Sequence, residues 1–334
     1  MKVSKMAVLL FGSIFAIALS ARIMHSQVKA VPTAVKVHMV VTDQSFSDNS
    51  DPPVLRPENV QVKQGKNALE VEQLVPARGD NAALQLFILI DDTLDPRVGS
   101  NLDEIRDFVS AQPASTVVGV GYMSNATFQV AQNFTADHAI AAKSLRLPRG
   151  RLSAMDSPYL SLMSLVKSWP QEKVRREVLV LSDGIDVLRG RSPMPSYTRT
   201  GMRPLPSQYP TSSSISPDTD STSATCQRYG VIVYSIYAVG AGRLGRNAWE
   251  AQLGQSGIAK IAEETGGEYF SLGTSTAVSF KPYLERLQNI FLNQYYVVFQ
   301  AAIGKKDGLQ RVDISSNLPD VDLAAADNVW VGAK

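Results

Sequence analysis

Sulfur and imidazole chemistry are almost missing from this chain: 334 residues contain one cysteine, Cys226, and three histidines. A lone thiol closes no internal disulfide, so stability has to come from a packed core rather than from covalent staples. Outside the N-terminal segment that carries His25, the imidazoles are His38 and His138. Neither stands beside a strand-end serine in a Gly-x-Ser-x-Gly setting, which disfavours a Ser-His-Asp hydrolase. Excess charge of one sign is also missing. The formal charge is +2, and Lys2 and Lys5 lie in a segment expected to be removed, which leaves the remainder near neutral. No basic field for nucleic acid follows, and Trp249, Trp330 and the tyrosines are not interleaved with Lys or Arg as a base-stacking platform would be.

What is present is ordinary globular material, 44% apolar and 19% charged, which excludes disorder throughout and suffices for one large domain with a smaller one. The chain opens on Lys2 and Lys5, an apolar run from Met6 to Leu19, and small residues at Ala18, Ser20 and Ala21. This is the pattern of a secretory signal over residues 1–21, so the protein is expected to be exported, periplasmic or secreted. An uncleaved anchor is the rival reading, but the run is shorter than the roughly 20 residues needed to span a bilayer.

Residues 30–80 hold short alternating runs, Val35 to Val41 and Asn59 to Val62 among them, separated by Asp, Ser, Pro and Gly. They predict a small β segment. The pattern then changes. Leu84 to Ile90 is an almost unbroken apolar run ending at Asp91, and Leu102 to Val109 follows with helical spacing. Strands are predicted at Thr116–Tyr122, Phe128–Phe134, Glu177–Leu181, Val231–Val239 and Glu268–Leu272. Helices are predicted at Ala136–Leu145, Tyr159–Trp169, Gly257–Glu264 and Phe280–Leu292. Such alternation over 82–293 predicts an α/β domain, a doubly wound and mostly parallel sheet with helices on both faces. Residues 189–225 are crowded with Ser, Thr, Pro and Gly and are expected to form a mobile surface insertion. In 294–334 the helical period stops, and Tyr295–Ala302, Gln310–Ile314 and Asn328–Val331 predict strands. Each terminal segment has too few strands to bury a face alone, so the two are expected to pack together beside the α/β domain.

Open α/β sheets bind ligands outside the carboxyl ends of their strands. There the sequence places Asp91, Thr93 and Asp95 after one apolar strand and Ser182-Asp183-Gly184 after another. A single strand-end Asp is usually a turn residue, but this combination of oxygens suits a hard octahedral cation, Mg²⁺ or else Mn²⁺ or Ca²⁺, rather than zinc.

Asp91-x-Thr93-x-Asp95 and the later Asp183 resemble the metal-ion-dependent adhesion site of von Willebrand factor A-type domains. In that pattern Asp91 stands for the first Asp, Thr93 for the first hydroxyl and Asp183 for the last Asp. Ser153, in Arg151-Leu-Ser153-Ala154-Met155, is the candidate for the loop Thr, and Asp95 departs from the pattern by replacing the second hydroxyl. The resemblance extends to the exported bacterial VWFA-related proteins, best known from Acidobacteria. It is carried by Val178 through Gly184, Val233 through Tyr237, Ile261 through Gly267 with Tyr269 and Phe270, and Leu287 through Tyr296.

The resemblance implies a non-enzymatic module that binds a protein or other extracellular macromolecule. Nucleic acid is not an expected partner, and a membrane is one only if the signal stays uncleaved. Because an added carboxylate at Asp95 can either ligate the ion or lower the positive charge that attracts an acidic partner, a metal-free assembly part with a degenerate site stays open as the alternative.

Overall fold

The computed structural model describes residues 34–45, 55–170, 172, 174–188, 216–242, 248–304 and 307–332. In chain order the flanking strands β1 (Ala34–Asp43), β2 (Val60–Gln64), β3 (Asn67–Leu69) and β4 (Val71–Pro76) come first. The α/β domain follows as β5 (Leu84–Asp91), α1 (Gly99–Ser110), β6 (Thr116–Ser124), β7 (Thr127–Thr135), α2 (His138–Lys143), α3 (Pro158–Ser168), β8 (Arg175–Ser182), α4 (Asp218–Tyr229), β9 (Val231–Tyr237), α5 (Ala248–Glu264), β10 (Tyr269–Phe270) and α6 (Lys281–Leu292). The chain closes on β11 (Gln294–Ala302), β12 (Gly308–Arg311), β13 (Asp313–Ser316), β14 (Leu323–Ala325) and β15 (Asn328–Val331).

The central sheet has six strands in the order β10-β9-β8-β5-β6-β7. All neighbours are parallel except the edge pair β6 and β7. Every residue of β5 is buried, as expected of a central parallel strand covered on both faces. Its side chains alternate between two cores. Leu86, Ile88 and Ile90 pack with Leu102, Ile105 and Val109 of α1 and with Leu284, Leu287 and Ile290 of α6. Phe87 and Leu89 pack with Tyr159, Leu162 and Val166 of α3, Cys226 of α4 and Ile258 and Ile261 of α5. Each such side chain contributes about 1.5–3 kcal/mol through burial, so the middle of the sheet is the stable reference against which the loops are held. Cys226 is a fully buried thiol, and burial pushes its pKa up to about 12. It stays protonated and behaves as a small apolar side chain.

The flanking β region is built from both ends of the chain. β1 pairs with β11 from Ala34↔Ala302 to Thr42↔Gln294, inside a four-stranded sheet ordered β14-β1-β11-β4. A three-stranded sheet, β13-β2-β3, and the ribbon β12-β15 complete it. One apolar cluster joins them, with Val37, Met39, Val297 and Phe299 from the first sheet, Val60 and Val62 from the second and Val329 and Val331 from the ribbon.

Three expectations from sequence are revised. The expected insertion 189–225 overlaps α4, so Asp218–Thr225 are helical rather than looped. Thr222 and Thr225 hydroxyls bond back to the carbonyls of Asp218 and Ser221 at 2.7 Å each, while Thr219, Thr222 and Ser223 are buried. Small polar residues that read as loop therefore serve a closely packed helix. Residues 189–215 lie outside the described residues. The expected strand Gln310–Ile314 is two strands, broken where the Val312 amide donates to the Asp327 carbonyl at 2.9 Å. The helix expected from Gly257 starts earlier, at Ala248. Residues 1–21, the expected signal, also lie outside the described residues.

Candidate functional site

The carboxyl ends of β5 and β8 form the centre of the candidate site. Ile90 pairs with Leu181 in the parallel register, so the next residues, Asp91 and Ser182, are neighbours across two strands. The Ser182 hydroxyl donates to Asp91 Oδ2 at 2.8 Å. The Thr93 hydroxyl and amide donate to Asp91 Oδ1 at 2.7 and 3.0 Å. Asp91, Thr93, Ser182 and Asp183 are all 4% exposed or less. Asp183 Oδ1 accepts the Ile185 amide at 2.9 Å, and the Ser182 hydroxyl oxygen accepts the Gly184 amide at 3.0 Å. Two carboxylates and two hydroxyls thus close the ends of adjacent strands.

The turn after β8 is shaped by close approach to α5. Gly184 has φ 70°, a backbone conformation that favours glycine. A Cβ on Gly254 of α5 would meet the Asp183 carbonyl oxygen and stand 2.9 Å from the Gly184 carbonyl carbon. The Tyr159 hydroxyl ties α3 to the same turn by donating to the Gly184 carbonyl at 2.8 Å. Burial raises the Tyr159 pKa, and the nearby Asp186 and Asp183 charges act in the same direction. Asp186 in turn accepts the Ser216 hydroxyl at 2.6 Å.

The loop Leu145–Ser157 lies along the rim, and two other aspartates hold it. Arg146 donates to both oxygens of Asp92, at 2.7 and 3.0 Å, and the Arg149 amide donates to Asp92 Oδ1 at 2.9 Å. The Gly150 amide bonds the Asp92 carbonyl at 2.9 Å. Farther along, Asp156 Oδ2 accepts the Ser153 amide at 2.5 Å and Oδ1 accepts the Asn125 amide at 2.9 Å. The loop that carries β5 onward is fixed as well, by Asp95 N to Val239 O at 2.9 Å and Ala241 N to Thr93 O at 2.9 Å.

Each residue singled out by sequence can now be placed. Asp91 and Thr93 are joined directly, and Asp183 follows Ser182, the last residue of β8, whose hydroxyl is bonded to Asp91. Asp95 caps the 3-10 turn Pro96–Val98 and makes a two-oxygen pair with Arg97, at 2.9 Å from Nε and 2.6 Å from Nη2. The Arg97 guanidinium and amide hold the Asp95 carboxyl down at about 2. Its charge is therefore matched locally. The Ser153 hydroxyl accepts the Met155 amide at 3.2 Å, which places it in the loop's own turn. Ser182, Asp92 and Asp156 were not singled out. The signal for Ser182 is its position as the first polar residue after the apolar run Val178–Leu181, at the end of β8 and level with Asp91. His138 contacts the Thr116 carbonyl at 2.8 Å from α2, and His38 lies on β1.

The donor chemistry at the rim is oxygen alone: the carboxylates of Asp91 and Asp183 and the hydroxyls of Thr93 and Ser182. That set fits a hard divalent cation that keeps part of its water shell, as Mg²⁺ does. Among the described residues no three His, Cys, Asp or Glu side chains gather as a metal-holding group.

No protein-family model and no curated protein matches the chain. Solved structures are similar to it in fold. One is an aerotolerance-related membrane protein from Bacteroides fragilis, 12% identical over 63% of this chain and 98% of that one, with a TM-score of 0.41. Another is a von Willebrand factor type A protein from Catenulispora acidiphila, 8% identical over 89% of this chain and 74% of that one, with a TM-score of 0.38. A third is the von Willebrand factor domain of the type V pili tip protein Mfa5 from Porphyromonas gingivalis, 11% identical over 63% and 94% of the two chains, with a TM-score of 0.38.

Proposed function

We propose that this protein is an exported, non-enzymatic binding module of the von Willebrand factor A type that engages a protein or other extracellular macromolecule at the rim around Asp91. The observation that carries the reading is the contact of Asp91 with Ser182 across adjacent parallel strands, which sets two buried carboxylates and two hydroxyls at the ligand-binding end of an α/β sheet. Asp91, Thr93, Ser182 and Asp183 are the residues that would hold a divalent cation, Mg²⁺ on donor chemistry. When bound, the cation supplies positive charge to which an oxygen of the partner can add. Asp95 stays outside the set because Arg97 holds it. Export rests on Lys2, Lys5, the Met6–Leu19 run and the small residues that follow. Among the described residues no helix is long and apolar enough to cross a membrane.

Calorimetric titration of Mg²⁺ into the purified wild type, Asp91→Asn and Asp183→Asn tests the cation. Saturable heat in the wild type that disappears in both variants is expected, with thermal unfolding checked so that loss of fold is not mistaken for loss of site. A second reading, a metal-free assembly part, is favoured by the three hydrogen bonds that Asp91 already accepts from Thr93 and Ser182. Equal heats in all three proteins would support it against the first.

A further inference from the structure

The rim loop also presents an unusual surface. Leu147, Leu152 and Met155 are 53%, 49% and 52% exposed, so three large apolar side chains stand in solvent within one short loop. Between them lie Arg149, whose side chain is 58% exposed with its Nε 3.6 Å from Asp92 Oδ2, and the exposed Arg151. The loop is pinned rather than loose, because Asp92, the residue after Asp91, holds Arg146 and the amides of Arg149 and Gly150. Leu147 lies over Gly99 at the start of α1.

We propose that Leu147–Met155 is a recognition surface for an acidic, leucine- or methionine-compatible segment of a protein partner, a deepening that rests on the rim being the binding face. Arginine pairs with carboxylates in a two-pronged geometry that lysine cannot reproduce, and arginine and methionine are both enriched at protein interfaces. Polyanions such as glycans or nucleic acids would use the arginines but leave Leu147, Leu152 and Met155 in water, an exposure that goes unrelieved. A lipid surface would be met by apolar side chains protruding fully. Here each is half covered by the protein, which makes a contact face rather than a wedge.

The test uses the purified full chain and a fluorescent peptide of Leu-Glu-Glu repeats, with versions carrying Gln or Lys in place of Glu. Binding is measured in Mg²⁺ and in EDTA, and sedimentation with phosphatidylglycerol vesicles is measured in parallel. The glutamate peptide is expected to bind at least tenfold more tightly than either control. R149Q/R151E and L152A/M155A are each expected to weaken it at least tenfold, with unfolding temperatures close to the wild type's, because Arg151, Leu152 and Met155 are exposed and Arg149 gives up only a half-exposed pair with Asp92 at 3.6 Å. Equal binding by R149Q/R151E, no preference for glutamate, or no binding at all would overturn the proposal. So would vesicle sedimentation lost in L152A/M155A with no peptide binding, which would assign the loop to a membrane. Peptide failure with Mg²⁺ heats intact defeats this proposal alone, whereas absent Mg²⁺ heats with the peptide still bound defeat only the cation.

Discussion

Gly254 of α5 lies directly against the backbone of Asp183, so close that an added Cβ would meet the Asp183 carbonyl oxygen and come within 3.0 Å of the Ile185 amide nitrogen. In an isolated helix, Gly→Ala stabilises by about 1 kcal/mol. Here the sign should reverse. Gly254→Ala is expected to cost about 1–3 kcal/mol, the usual penalty for overpacking, and to weaken the proposed Mg²⁺ binding by displacing the Asp183 turn. Urea unfolding and the calorimetric titration read the two effects. A variant more stable than wild type with unchanged heats would contradict the packing.

The β6–β7 hairpin turns at Asn125 and Ala126, with φ of 51° and 57°, between the paired residues Ser124 and Thr127. Two-residue turns with positive φ at both positions favour Asn-Gly. An alanine held left-handed is strained by roughly 1–2 kcal/mol, part of which glycine returns through greater freedom in the unfolded chain. Ala126→Gly is expected to stabilise by about 0.5–1 kcal/mol, seen as a higher urea midpoint at constant m-value.

Arg97 holds the Asp95 carboxyl near 2 through its guanidinium and its backbone amide. In Arg97→Ala the side-chain donor is lost and Asp95 should titrate at a higher pH, still below an unpaired carboxyl because the amide bond at 3.0 Å stays. Side-chain carboxyl chemical shifts against pH give the measurement, and an unmoved Asp95 titration would refute the pairing.

Glu177, fully buried at the opposite end of β8 from Ser182, has its pKa pushed up to about 7 by burial, against the opposing charge of Arg175. The guanidinium stands 4.0 Å away. A carboxyl raised above its unfolded value of 4.5 contributes stability that is complete below that value and is lost as pH rises through 7. The unfolding temperature of the wild type should therefore carry a decline between about pH 5 and 8. Glu177→Gln should remove that decline, and an identical slope in both proteins would exclude the assignment.

Much of the α/β domain was legible because its strands are apolar on both faces: β5 and β8 announce themselves as runs that end in Asp91 and in Ser182-Asp183. The location of the candidate site follows from those endings. The role of Ser182 was not legible, since it depends on the register that sets Ile90 beside Leu181, and register is a property of two strands together. The Asp95–Arg97 pair was hidden for a similar reason: residues two apart face each other only once Pro96–Val98 adopts a 3-10 turn. Helix α4 escaped notice because Thr219, Thr222 and Ser223 are buried where a periodic pattern would place large apolar residues. Gly254 and Gly257 obscured the first half of α5, although Gly254 is there to let the helix approach Asp183.

The ladder between β1 and β11 has a consequence in time. β1 is made early, yet the strand that completes its ladder, Gln294–Ala302, is made near the end. Loop closure over nearly the whole chain precedes that pairing, which makes it a slow contact to form. While the ribosome works through the α/β domain, the valines of β1 wait without their partner strand, open to the chain-chain pairing that unpaired strands invite. The flanking sheet is thus a late signature on the fold: a chain halted after Leu292 has its α/β elements in hand, and nothing to zip its first strand shut.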